Sequence, residues 1–214
     1  MISSYEHAAG FEIEQGMPKE LWIAMGMQEN DDVANGWYNG YNFKVYNEVG
    51  QDAEAALNQA KAYIHDRTLM FKNGTADWKA FYKEKVLSQW NEPTYECFGA
   101  TDRVKDEKTS FIENLYTGRI HRNIEIYLTQ YQLIIYLGFM LYILFCLIKR
   151  MPLINYLLVI YIIGGLMFSM LWEASSRYVF PYFVFMIPCA AYGWTCLMES
   201  LWGKRDVLMK RVKD

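Results

Sequence analysis

Three stretches of the chain, residues 127–148, 153–172 and 178–198, contain no Asp, Glu, Lys or Arg. Each reaches the roughly 20 apolar residues that cover about 30 Å of hydrocarbon as a helix, so the pattern predicts three transmembrane helices joined by very short connections. Rings that favour the headgroup layer sit at their ends: Tyr127 and Tyr131, Trp172, Tyr178 and Tyr182, and Trp202 beyond the last. Pro181 falls in the first turn of the third helix, and Pro188 is expected to bend it.

Ahead of the first span the pattern changes. Ala53, Ala56, Leu57, Ala60, Tyr63, Ile64 and Phe71 follow helical spacing and predict a helix over 52–72 with Asp52 as its N-cap. A second helix is predicted over 75–90, capped by Thr75, with Asp77 at the positive end of its dipole. On it Trp78, Phe81, Tyr82, Val86 and Trp90 form one stripe opposite Lys79, Lys83 and Glu84. Residues 21–27 read as a buried strand. The stretch 110–125, with Phe111, Ile112, Leu115, Tyr116 and Ile120, reads as an amphipathic segment on the membrane surface. The predicted fold class is therefore a mainly α membrane protein. A mostly helical extracytoplasmic domain (1–125) precedes three transmembrane helices (126–202) and a basic cytoplasmic tail (203–214).

Charge sets the expected orientation. Through Glu125 there are 20 Asp/Glu against 13 Lys/Arg, and beyond it 4 against 8, a swing from −7 to +4. Lys149 and Arg150 lie between the first two spans, and Lys204, Arg205, Lys210, Arg211 and Lys213 follow the third. The positive-inside bias puts both groups in the cytoplasm, with the amino-terminal domain and the hairpin from Glu173 to Arg177 outside. Residues 1–7 offer neither a basic n-region nor an apolar h-region to drive that export. Either the orientation is inverted, or the chain is the carboxy-terminal part of a larger protein whose earlier helices translocate the domain; the second is the expectation.

With 53% hydrophobic and 17% aromatic residues and only 5 prolines, the chain is neither a disordered nor a collagen-like protein. Cys97 stands alone, and Cys146, Cys189 and Cys196 lie inside the predicted spans, so no disulfide framework is expected. His7, His65 and His121 lack ligand spacing, and no metal site or cofactor is expected. Phosphate-cradling loops and a nucleophile elbow are missing from the sequence, and the acidic domain argues against a nucleic-acid partner.

The most pointed constellation is Glu173-Ala174-Ser175-Ser176-Arg177-Tyr178, followed by Pro181. Four-residue spacing would let Glu173 pair with Arg177 at the outer interface. In one reading Arg177 is a fixed cation for the phosphate of a lipid carrier, with Glu173 orienting it and Tyr178 beside it. In the other the two residues form an ion pair that marks a helix turn. The rings of Trp37, Tyr38, Tyr41 and Phe43 likewise admit two roles, stacking on an acceptor or sugar, or packing within their own domain.

The runs Trp22–Glu29, Gly36–Tyr41, Phe81–Lys85 and Gln89–Tyr95, together with the pattern of Glu173, Ser176, Arg177, Tyr178 and Pro181, resemble bacterial multi-pass glycosyltransferases of the GT-C class. The resemblance is to the group of protein O-mannosyltransferases and aminoarabinose transferases, and to the carboxy-terminal portion of those enzymes. It implies a multi-pass protein of the cell envelope that takes a sugar from a polyprenyl-phosphate carrier on the outer leaflet and passes it to a cell-envelope acceptor. Its partners would be that carrier, the lipid bilayer and the missing amino-terminal portion. Such enzymes carry their catalytic acid residue in a first outer loop without counterpart here, so no base is assigned and the chain alone is expected to be inactive. The alternative is a non-catalytic, membrane-anchored binding or assembly protein.

Overall fold

The computed structural model describes residues 16–101 and 109–211, so His7 lies outside the described residues. Among them the chain is helical, with no strand and one isolated bridge, Trp37 to Ala174. Two compact units emerge: Met1–Lys85 with Ser169–Ala174, and Val86–Phe168 with Ser175–Asp214.

In the first unit α1 (Glu20–Met25) replaces the strand expected over 21–27. Leu21, Ala24 and Met25 are buried, which is i, i+3, i+4 spacing. A short apolar run does not disclose its period, and this one is made of Leu, Ala and Met, good helix formers, with Ile23 its only β-branched residue. Gly40, at φ 77°, lets the chain turn into α2 (Tyr41–Glu48). In α3 (Ala53–Lys72) Asp52 accepts from the amides of Glu54 and Ala55, the expected cap. Leu21, Ala24, Val45, Ala56 and Ala60 from these three helices form the unit's core.

Helix α4 (Trp78–Trp90) begins three residues later than expected. Its cap is Asp77, whose carboxylate accepts from the amides of Lys79 and Ala80. Thr75 instead directs both its amide and its hydroxyl to the Asn73 side chain. The buried face also differs from the expected stripe: Phe81, Lys85 and Gln89 are buried, whereas Trp78 is half exposed. The Lys85 ammonium is fully buried and donates to the carbonyls of Gly26 at 2.5 Å, Trp172 at 2.7 Å and Met170 at 3.2 Å. Burial pushes its pKa down to about 7, while the carbonyl acceptors favour its charged form. This lysine ties segments distant in sequence into one unit.

The second unit contains α5 (Cys97–Thr101), α6 (Ser110–Tyr116), α7 (Arg119–Ile148), most of α8 (Leu157–Leu171) and α9 (Phe180–Arg211). The segment expected over 110–125 falls in two pieces, α6, capped by Thr109, and the first turns of α7. Gly138 of α7 and Gly193 of α9 bring two backbones into contact: a Cβ on Gly193 would lie 2.2 Å from the Gly138 carbonyl oxygen. Small residues of this kind are what close helix approach in lipid requires. Ile135, Phe139 and Cys146 of α7 pack with Phe183, Met186 and Ala190 of α9 and with Val159 and Ile162 of α8. Pro188 lies inside α9, which also carries the basic segment as helix to Arg211.

The same helices are apolar on their outer faces. Met140, Leu147, Ile154, Met167 and Phe168 are largely exposed, an arrangement costly in water and ordinary in hydrocarbon. Three helical segments, Ser110–Ile148, Leu153–Leu171 and Phe180–Trp202, are long and apolar enough to cross a membrane.

Candidate functional site

The site is assembled from the loop after α4 and the short turn Ser176–Tyr178 that precedes α9, both in the second unit. The loop is conformationally unusual. Tyr95 and Glu96 sit at φ 52° and 59°, a left-handed region that costs a non-glycine residue about 1–2 kcal/mol. Glu92 holds it there. One carboxylate oxygen accepts from the amide and hydroxyl of Thr94, and the other from the Glu96 amide at 2.8 Å and the Ser176 hydroxyl at 2.9 Å.

Glu96 completes the junction. Its Oε1 accepts from the Ser175 hydroxyl at 2.6 Å and the Ser176 amide at 3.2 Å, and its Oε2 accepts from Arg177 Nε at 2.9 Å. The expected pair of Glu173 with Arg177 is therefore corrected: the partner of Arg177 is Glu96. Four-residue spacing pairs side chains only on a helix, and Ser175 is extended at φ −162° and ψ 140°. Glu173 belongs to the first unit.

Held through Nε, Arg177 leaves its two terminal nitrogens without a hydrogen bond among the described residues. Its side chain is 57% exposed, enough for those nitrogens to meet a ligand. Arg177 lines a cleft of about 650 Å³ whose other walls include Tyr95, Phe98, Leu128, Tyr131, Phe180 and Phe183. That volume lies in the range of small-molecule sites, and its make-up, apolar walls with a few placed polar groups, is typical of them. Gln132 of α7, only 3% exposed, also lines the cleft and donates from its side-chain amide to the Tyr95 hydroxyl at 3.3 Å. Burial pushes the Tyr95 phenol up to about 12, so it stays protonated at neutral pH.

The other expected contacts fall elsewhere. Tyr178 is in the short turn, half exposed. Trp37, Tyr38 and Tyr41 belong to the first unit, where Tyr41 packs against Tyr63 with ring centroids 5.4 Å apart and Tyr38 is half exposed. A polar concavity in that unit is lined by Glu29, Asn35, Arg67, Asp77 and Glu84. Its polar groups are largely engaged with one another: Arg67 with Glu29, Asn35 with Glu84, and Asp77 with the start of α4. Among the described residues no group of histidine, cysteine and carboxylate side chains is placed to hold a metal.

Glu92, Glu96 and Gln132 were not singled out in the sequence. Gln132 carried a signal, as an amide well inside an uncharged apolar run; the two glutamates, flanking Pro93-Thr94-Tyr95, carried none beyond their charge.

Compared with family models, with curated proteins and with solved structures, the chain matches none.

Proposed function

We propose that the chain is the carboxy-terminal membrane portion of a glycosyltransferase that uses a polyprenyl-phosphate-linked sugar as donor, and that the cleft beside Arg177 receives the donor. The observation that carries this reading is Arg177 itself. A guanidinium fixed by Glu96 through Nε, with its terminal fork left open beside an apolar cleft, suits a phosphate attached to a lipid. Phosphate oxygens meet two parallel donors, and neighbouring rings cover apolar parts of the same molecule. The positive-inside bias of Lys149 and Arg150 supports placing the Arg177 turn at the outer leaflet, where such carriers present their sugar.

The carboxylates of Glu92 and Glu96 have all four oxygens engaged in the junction, and neither is assigned as the base that deprotonates an acceptor. That observation favours a second reading, a membrane-anchored protein that binds the lipid carrier without catalysis. Both readings require the same ligand.

Binding of undecaprenyl phosphate to the full chain in nanodiscs tests the ligand. A hydrogen bond to a charged group is worth about 1.5–3 kcal/mol, so Arg177→Ala is expected to weaken binding roughly 10- to 150-fold. Arg177→Lys keeps the charge without the fork and should fall between. The exchanged variant Arg177→Glu with Glu96→Arg can restore the ion pair but not the phosphate contact, and should stay weak. Wild-type affinity in Arg177→Ala, or recovered affinity in the exchanged variant, would leave Arg177 as a structural residue only.

A further inference from the structure

The polar concavity of the first unit, about 590 Å³ in volume, is lined from the loop after α1 and from α3 and α4. Its charged lining is four carboxylates, Glu29, Asp31, Asp77 and Glu84, around one guanidinium, Arg67. Exposed carboxylates are ordinary; the guanidinium is not. Arg67 is only 7% exposed, with its Cζ 4.5 Å from the ring centre of Phe71 and 5.2 Å from that of Phe81. Its Nε donates to the Met27 carbonyl at 3.1 Å and its Nη2 to Glu29. The remaining terminal nitrogen, Nη1, has no hydrogen bond among the described residues. An unused donor on a buried cation is costly unless an oxygen accepts from it.

The surrounding charges decide what that oxygen belongs to. Glu29 compensates Arg67, and Asp77 accepts from the amides at the start of α4. Glu84 uses only Oε2, on the Asn35 amide at 2.7 Å, and Asp31 has no partner among the described residues. A phosphate or carboxylate would therefore meet two uncompensated negative charges beside a cation that is already paired, whereas an ammonium group is attracted. We propose that this concavity binds a small organic cation with a carbonyl or hydroxyl oxygen beside its ammonium group. Arg67 donates to the oxygen, and Glu84 and Asp31 hold the ammonium. The volume suits a small molecule. This assignment is separate from the lipid ligand, whose cleft belongs to the second unit. If Arg67 only clamps Met27 and Glu29, organic cations will bind equally weakly with or without the oxygen.

Isothermal titration calorimetry of the full chain in phosphatidylcholine nanodiscs tests the proposal with L-lysinamide and 1,5-diaminopentane, which shares the diamine chain and lacks the carbonyl. Mildly acidic buffer keeps both amines of each compound charged. Wild type is expected to bind L-lysinamide roughly tenfold more tightly, the worth of one hydrogen bond to a charged group at the low end of its range. The exposed double variant Glu84→Gln with Asp31→Asn should weaken both compounds roughly 2- to 30-fold, as two exposed ion pairs would, and keep the ratio between them. Arg67→Lys should erase the ratio. Should Arg67→Lys fail to fold by helix content, the wild-type ratio and the double variant decide. No binding of L-lysinamide by wild type, equal affinity for the two compounds, or undiminished binding in the double variant overturns the proposal.

Discussion

Replacing Lys85 by methionine is expected to remove about 1–3 kcal/mol from the stability of the first unit, the cost of leaving carbonyl acceptors without their hydrogen-bond donor. Methionine matches most of the lysine stem, so the change isolates the ammonium. It would leave the carbonyls of Gly26, Met170 and Trp172 buried without their donor. Lys85→Arg should not rescue the unit, because the space is filled: a Cβ placed on Gly36, which sits at φ 73°, would already lie 2.6 Å from Lys85 Cε. Urea unfolding in mild detergent, followed by hydrogen exchange at the amides of α1 and α3, whose side chains form the core of this unit, reports on it. An unchanged midpoint in Lys85→Met would show that those carbonyls are satisfied without it.

The second large effect is expected at Glu92. Its carboxylate accepts the Thr94 and Glu96 amides that hold Tyr95 and Glu96 in the left-handed region, and it anchors Ser176 of the turn before α9. Glu92→Ala removes all of these acceptors at once and leaves the strained backbone unsupported. A loss of about 2–4 kcal/mol is expected from the hydrogen bonds to a charged group alone. The loop should then relax to ordinary dihedrals, carrying Glu96 away from Arg177. Hydrogen exchange at the amides of Glu96 and Ser176 should accelerate in Glu92→Ala and to a smaller extent in Glu92→Gln. Unchanged protection at both amides would mean that the loop holds its shape by other contacts.

The parts of this molecule that were legible in its sequence are those governed by local rules. An uncharged apolar run of about 20 residues has few uses other than crossing hydrocarbon, and three such runs gave the three long apolar helices. Asp52 capped α3 where its chemistry placed it, because capping involves only the next three residues. Where two local solutions compete, the sequence does not choose between them. Thr75 and Asp77 both suit an N-cap, and the choice went to Asp77 because Asn73 captured the threonine.

Contacts that depend on distant residues were not legible. Lys85 carries no signal of burial in the sequence, and it becomes a buried donor through Gly26 and through the chain returning at Met170 and Trp172. Spacing pairs Glu173 with Arg177, whereas the partner of Arg177 comes from the loop some 80 residues earlier, at Glu96. Arg177 itself was recognisable as a candidate cation. What the sequence hid was the device that aims it, a carboxylate on Nε with the fork left open.

The most direct test of the account is to find where a lipid phosphate sits. Undecaprenyl phosphate carrying a diazirine on the isoprene nearest the phosphate would be irradiated with the full chain in nanodiscs, and the labelled peptides mapped by mass spectrometry. The account predicts label concentrated in the loop around Pro93–Phe98 and at the start of α9 around Phe180 and Phe183, reduced by excess unlabelled undecaprenyl phosphate and lost in Arg177→Ala. Label spread over the outward apolar faces of α7 and α8, insensitive to both competitor and substitution, would contradict it.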